Sequence, residues 1–493
     1  MAAGGNAVDA AVAAAACLTV VEPTSNGLGS DLFAILHDGE RLHGLNASGR
    51  SPAAWTPDRF AGLDQMPQWG GDSVTVPGCV AGWRDLIERF GSRSLGDDLQ
   101  PAIRHARDGH PASPITAAAW QRAVKRFGEN AGFKQVFCPP PSVGELWKSP
   151  GHAQTLEQIA RDNGESYYRG EIAQAIAGAV QADGGVLSTD DLAAHSNDWL
   201  TADELLSANG LGATLHEIPP NGQGVAAQMA LQLCDALNLD GDWFGERGVH
   251  LQVEAMKLAF ADLHAHVADP AAMAFPPAAL VDPAYAASRL ELLNQEQAAD
   301  YGPGQPRPGG TVYLCAADGE RMISLIQSNY FGFGSGTVVG DWGIALQNRG
   351  FGFVTTPGHP NQVGPNKRPF HTIIPGFVTK GGNPLMAFGV MGGPMQAQGH
   401  LQMMLRIFGL GQDLQTANDA PRWQLARNAS GNWELWHEAN FDANVLAALA
   451  RRGHTLVAKS YENFGGAQLL RRLPGGAYEA SSDYRKDGHA GAR

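Results

Sequence analysis

Over the first 310 positions, apolar residues recur mostly at helical spacing, broken by short strand-like runs. Ala10 to Val21 is an Ala-rich apolar run introduced by a Gly4-Gly5-Asn6 turn, which predicts a buried helix. Asp31 to Leu36 and Arg41 to Leu45 read as a hairpin around Asp38-Gly39. Helical patterns follow over Val80 to Phe90, closed by Gly91, then over Pro101 to Asp108, Ile172 to Asp183 and Gly248 to Ala268.

The character changes near residue 303. Ala299 to Pro308 is rich in Gly, Pro and Gln without periodicity, and Gly309-Gly310 closes it ahead of a strand-like stretch, Thr311 to Ala316. Asp318-Gly319 is a hairpin turn signal, and Met322 to Gln327 reads as the partner strand. Short strands are expected at Ile344 to Gln347, Ile373 to Thr379 and Leu385 to Val390, with one helix over Met395 to Phe408 and a strand-rich tail. This mixture predicts an α+β fold in which two sheets lie between helical layers. No stretch has linker composition, so one compact unit is expected.

Composition adds exclusions. With 493 residues, 44% hydrophobic and 17% charged, the chain can bury a large core. A net charge of -14 argues against nucleic acid or anionic lipid as partner and favours a small substrate. Cys17, Cys79, Cys138, Cys234 and Cys315 are scattered without a CxxC pair and are expected as buried thiols. The histidines show no HxxxH or HExxH spacing, so no metal or cofactor is expected. Ala10 to Val21 has the length of a signal-peptide core, yet no Lys or Arg precedes Arg41 and Asp9 interrupts its approach. No stretch reaches the roughly 18 apolar residues of a membrane helix. A soluble, cytoplasmic protein is expected, with a periplasmic or secreted one left open if the native start lies upstream.

The candidate chemistry sits at Gly310-Thr311. A Thr hydroxyl is a poor nucleophile until a base takes its proton, and an α-amino group on the same residue can be that base. Cleavage at Gly310-Thr311 creates both groups at once, and the glycines before it permit the strained backbone that self-attack needs. Phe331-Gly332-Phe333-Gly334-Ser335-Gly336 is too glycine-dense for a strand interior and implies close backbone approach. Met391-Gly392-Gly393 follows an apolar strand and opens a helix, where backbone N–H groups can receive an oxyanion.

Several segments together are recognisable. Gly4-Gly5-Asn6-Ala7-Val8-Asp9-Ala10-Ala11-Val12-Ala13, Val21-Glu22-Pro23, Val76-Pro77-Gly78-Cys79-Val80-Ala81-Gly82, Tyr168-Arg169-Gly170, Pro365-Asn366-Lys367-Arg368-Pro369 and Ala420-Pro421-Arg422 resemble, in order, the gamma-glutamyltranspeptidase family. The resemblance implies a four-layer αββα N-terminal-nucleophile hydrolase sandwich. It also implies a precursor that cleaves itself into a large subunit, 1–310, and a small subunit, 311–493, which stay together as one globular unit. Family members carry a strand and a helix ahead of the first of these motifs, whereas this chain starts almost on it.

Carried over by position, the family's catalytic strand matches Thr311 to Asp318, which makes Thr311 the nucleophile. Ser328 takes the place of the hydroxyl-supporting threonine, and Gly392 and Gly393 that of the oxyanion glycines. The substrate pocket departs from the pattern. The family's carboxylate-binding Arg matches Ser48, with Arg50 nearby, and its glutamate-binding Asn matches Tyr330. The segment whose Asp holds the substrate's α-amino group is replaced by Asn348-Arg349-Gly350-Phe351-Gly352, and the Ser-Ser pair by His371-Thr372. An ammonium without a counter-charge binds poorly, whereas Arg349 with His371 and Tyr330 suits an acyl group bearing a carboxylate and no amine. The pattern is similar to divergent relatives such as oxamate amidohydrolases and glutaryl cephalosporin acylases. The expected activity is amide hydrolysis or acyl transfer through a Thr311 ester. The alternatives are a glutathione gamma-glutamyltransferase or hydrolase and an uncleaved metabolite-binding homologue.

Overall fold

A computed structural model of the protein describes residues 1–239, 241–301 and 310–492. They group into two compact units, one from Met1–Thr201 with Gly310–Ile373 and one from Ala202–Gly309 with Ile374–Ala492. Each unit joins separated stretches of chain, which is why no linker-like composition marks a boundary.

In the first unit the Ala-rich run forms the helix Ala7–Val21. Asn6 caps it by accepting from Val8 N and Asp9 N, while the Asp9 carboxylate accepts from Asn6 N. The acid that interrupts the apolar approach is therefore part of the helix start. The strands are β1 (Asp31–His37), β2 (Leu42–Ala47), β3 (Asp198–Thr201), β4 (Gly310–Ala317) and β5 (Met322–Tyr330). They form one sheet in the order β3-β2-β1-β5-β4, antiparallel throughout. Every residue of β1 and β5 is buried, the polar Ser324, Gln327, Ser328 and Asn329 of β5 included. The expected hairpins β1–β2 and β4–β5 are present.

Two expectations are corrected in this unit. The helix expected from Pro101 begins at Leu95, because Ser94 accepts from Asp97 N and caps it, leaving Pro101 inside. Only Ile344–Ala345 of the expected strand Ile344 to Gln347 forms a ladder, with Val338–Val339.

The second unit holds a six-stranded antiparallel sheet in the order Tyr478–Ser482, Gly466–Arg472, Asn383–Met391, Gly376–Lys380, Ala213–Glu217 and Leu206–Gly210. Its fourth strand starts at Gly376 rather than Ile373, since Pro375 has no N–H to give a ladder. The helices Gly224–Leu237 and Glu246–His266 are largely buried. The expected helix Met395 to Phe408 is α-helical over Met395–Met404 and continues as a π turn over Leu405–Gly409. The fold class is α+β, and both sheets mix strands from either side of Gly310. The expected Gly/Pro-rich run before Gly310 lies largely outside the described residues. Among the described residues no helix is long and apolar enough to cross a membrane. The five thiols are unpaired by disulfide, but only Cys79 and Cys234 are fully buried; Cys17, Cys138 and Cys315 are partly so.

Candidate active site

The β4–β5 pairing slips at the candidate nucleophile. Gly310 faces Tyr330 and Val312 faces Gln327, so Thr311 alone stands opposite Ser328 and Asn329. Such a bulge re-aims a side chain. Thr311 Oγ1 donates to Ser328 Oγ at 3.3 Å, and Ser328 Oγ also accepts from Tyr330 N at 2.8 Å. Thr311 is buried at 1% exposure, and Tyr330 completes the turn with a left-handed φ of 79°, unusual for an aromatic residue.

Beyond Tyr330 lies Arg349, its Cζ 4.5 Å from the tyrosine ring centroid. Arg349 opens a tight turn, Arg349–Gly352, in which Gly350 is required: a Cβ there would meet the Trp55 ring at 2.4 Å. The guanidinium is fully buried, not set at a solvated rim. Nη1 donates to Thr372 Oγ1 at 2.9 Å, while Nε and Nη2 have no hydrogen-bond partner among the described residues. Burial lowers its pKa to about 10, with Asp31 and Tyr330 opposing, so the group is cationic at neutral pH.

The candidate His371 is buried beside Phe33, with ring centroids 4.8 Å apart, and its Nε2 lies 3.1 Å from Asp31 Oδ2. Burial, with Arg349 and Arg368 adding to it, holds the imidazole well below its ordinary pKa and hence neutral. Ile373 N donates to Nδ1 at 3.4 Å, which leaves the ring proton on Nε2, pointing at Asp31. Asp31 is paired with Ser328 across β1 and β5. Burial raises its carboxyl to about 7 against the opposing pull of Arg349, the Gly49 and Gly78 N–H groups and Arg368.

Thr311, Ser328, Tyr330, Arg349, His371 and Thr372 thus form one buried, contact-linked group in the first unit. Arg50 is not part of it: its guanidinium reaches Asn366 O at 3.2 Å and Asp198 at 4.0 Å, with the side chain 42% exposed. The guanidinium beside Ser48 is Arg368, buried, donating to Ser48 Oγ at 3.2 Å and paired with Asp198 at 2.9 Å. Asn348 spends its side chain on backbone, accepting from Phe331 N and donating to Gln68 O. In the glycine-dense loop after Tyr330, a Cβ on Gly334 would lie 2.2 Å from Leu346 O, which accounts for that glycine by close approach.

Gly392 and Gly393 lie in the second unit, between the strand Asn383–Met391 and the helix Met395–Met404, at φ 128° and 60°. Gln223 Nε2 donates to Gly393 O at 2.8 Å and fixes that turn. Also in this unit, His250, Glu254 and His454 bring three ligand-type atoms within 4.8 Å of one another. Lys257 Nζ, 2.7 Å from Glu254 Oε1, already supplies the positive charge there.

Sequence reasoning missed Asp31 and Arg368. Arg368 stood in the Asn366-Lys367-Arg368-Pro369 motif, and Asp31 showed only as an acid opening an otherwise apolar strand, which by itself does not reveal its partners.

Comparison with known proteins identifies the family. The gamma-glutamyltranspeptidase family profile matches residues 1–492. The chain is 33% identical to the glutathione hydrolase-like YwrD proenzyme of Bacillus subtilis, over 99% of this chain and 94% of that one. It is 32% identical to the oxamate amidohydrolase proenzyme of Klebsiella pneumoniae, again over 99% and 94%. Its fold superposes on a cephalosporin acylase from Bacillus halodurans with a TM-score of 0.91 at 42% identity, covering 99% of this chain and 91% of the other. The chain belongs to the gamma-glutamyltranspeptidase family, as a self-processing amide hydrolase or acyltransferase of the N-terminal-nucleophile type.

Proposed function

We propose that the chain cuts itself between Gly310 and Thr311 and then uses Thr311 to hydrolyse or transfer acyl groups that carry a carboxylate and no α-amine. The observation that carries the substrate reading is Arg349, fully buried beside Tyr330 with its Nε and Nη2 edge unpartnered among the described residues. Two adjacent N–H groups of a guanidinium match the two oxygens of a carboxylate. A desolvated cation left in this state is costly until an anion arrives.

In the self-cleavage step, Thr311 Oγ attacks the Gly310 carbonyl carbon. The bond to the Thr311 nitrogen breaks, the hydroxyl proton passes to that nitrogen, and Gly310 becomes an ester on Oγ. Water then hydrolyses the ester, leaving a Gly310 carboxylate and a Thr311 that bears both hydroxyl and α-amine. Ser328 Oγ, accepting from Thr311 Oγ1, orients the hydroxyl. In turnover the α-amine takes the Oγ proton as Oγ attacks the substrate amide, and returns it to the leaving nitrogen as the C–N bond breaks. The family resemblance assigns the oxyanion donors to Gly392 and Gly393. Water or an amine then removes the acyl group from Thr311. Residues 1–310 and 311–493 would be the large and small subunits, held together because both sheets draw strands from each.

A second reading has its own support: the B. subtilis relative is named glutathione hydrolase-like. A γ-glutamyl group carries an ammonium as well as a carboxylate, and the buried carboxylate that opposes Arg349, Asp31, already accepts from Gly49 N, Gly78 N and His371 Nε2. Intact-mass spectrometry of wild type and Thr311→Ala, followed by kcat/KM for glutaryl, γ-glutamyl and butyryl p-nitroanilides, tests both readings. Two wild-type fragments meeting at Gly310-Thr311, an uncut variant and glutaryl favoured over both other substrates by at least about tenfold are expected. A γ-glutamyl preference would replace the first reading by the second, and an uncut wild type would remove both.

A further inference from the structure

Asp31 is a fully buried carboxylate that none of these steps uses. Its Oδ1 accepts from Gly49 N at 3.1 Å and Gly78 N at 3.2 Å, and its Oδ2 from His371 Nε2 at 3.1 Å. It therefore ties three segments to the start of β1: the loop after β2, the Val76-Pro77-Gly78 turn and the chain around His371. The first two leave no slack, since a Cβ on Gly49 would lie 1.4 Å from Val76 O and one on Gly78 would lie 2.0 Å from Ala47 O. Directly after His371, Thr372 Oγ1 accepts from Arg349 Nη1. Contacts thus run unbroken from Asp31 through His371 and Thr372 to the guanidinium.

We infer that Asp31 is a positioning residue for Arg349: through His371 and Thr372 it holds the guanidinium edge ready for the acyl carboxylate, and its own charge sets how strongly that edge attracts an anion. The inference rests on the reading of Arg349 given above. An ionised Asp31 partly cancels the field of Arg349, whereas a neutral one leaves it whole. The charged and titratable groups that face Asp31 are His371, Arg349, Arg368, Cys79, Tyr167 and Tyr168. Burial keeps His371 neutral, pushes Cys79 and both tyrosines far up, and leaves Arg349 charged. Asp31 is then the member of the group that changes charge near neutrality, so affinity for an anionic acyl group should fall as pH rises through about 7.

The test compares self-cleaved wild type, Asp31→Asn and Arg349→Met on glutaryl and butyryl p-nitroanilide, with KM and kcat followed between about pH 5.5 and 8.5. For wild type, the glutaryl KM should rise several-fold to about tenfold across that range while the butyryl KM stays flat. Asp31→Asn should make the glutaryl KM independent of pH. The inference fails if Asp31→Asn keeps the wild-type pH dependence, or if the butyryl KM moves in parallel with the glutaryl KM. Should Asp31→Asn not self-cleave, Thr372→Val decides: a glutaryl KM raised about fivefold with the butyryl KM unchanged supports the contact chain, and an unchanged glutaryl KM overturns it. If Arg349→Met retains the glutaryl preference, the carboxylate reading itself has failed. If it loses that preference while Asp31→Asn matches wild type, only the present inference has.

Discussion

Each compact unit buries a cluster of guanidinium groups, and the two clusters are satisfied to different degrees. In the second unit, Arg485 places Nε and Nη2 on Glu438, Nη1 on Asp483 and Asn418 O, and Nη2 also on Ala420 O. Arg422 beside it is paired with Asp483 at 2.7 Å. In the first unit, Arg349 is equally buried but gives only Nη1 to a partner among the described residues. The carboxylates differ in the same sense. Burial pushes Asp483 up, but Arg422, Arg485 and two backbone N–H groups outweigh it and hold the carboxyl below its ordinary value. Burial of Asp31 outweighs its partners and raises it to about 7. The buried ion network around Ala420-Pro421-Arg422 uses most of its donors, with Arg422 Nε left over, and fixes the fold there, whereas Arg349 leaves a whole two-donor edge, Nε and Nη2, without a partner among the described residues, a place prepared for something else.

The largest expected effect separates the two arginines by stability. Arg485→Met strips Glu438 and Asp483 of their shared partner and should lower unfolding free energy by about 3–5 kcal/mol. Arg349→Met removes a desolvated charge with one hydrogen bond and should stay within about 1 kcal/mol of wild type or gain stability. Equal losses in urea unfolding would erase the distinction.

The next effect is in pH. The folded state binds the Asp31 proton more tightly than the unfolded chain does, so that stabilisation is complete below the ordinary carboxyl value of 3.8 and is lost as pH rises towards about 7. Relative to wild type, Asp31→Asn should therefore gain about 3 kcal/mol between pH 4 and 7.5. Asp483 has the opposite sign: its contribution is present above the ordinary carboxyl value and is lost as pH falls through its lowered one. Denaturant titrations of both Asn variants across pH should show opposite slopes, and like slopes would break the comparison.

A smaller effect sharpens the first unit alone. Ser328→Ala removes the oxygen towards which the Thr311 hydroxyl points and should slow self-cleavage about tenfold, or ~1.4 kcal/mol in barrier, without preventing folding. Time-resolved intact mass measures this directly, and an unchanged rate would limit Ser328 to the Tyr330 turn.

Much of this was readable in one dimension. The Asn6 cap, the β1–β2 and β4–β5 hairpins, Thr311 at a strand start and Gly392-Gly393 between strand and helix all depend on residues close in sequence. The helix misplaced at Pro101 failed for an equally local reason, since Ser94 was the stronger start signal. Asp31 was beyond such reading, because its donors lie 18, 47 and 340 residues away. Arg349 was marked by its type and neighbourhood in the chain, but the same residue at a surface turn would be solvated and uninformative. By itself the sequence determined where helices and strands form, the family, and the hydroxyl, glycine and guanidinium groups available for chemistry, because periodicity, capping and motif order act over a few residues. Only the tertiary structure decided which buried charges are largely paired and which keep an open edge, because a charge's partners come from strands and loops that can lie hundreds of residues apart, and burial removes the water that would otherwise satisfy it.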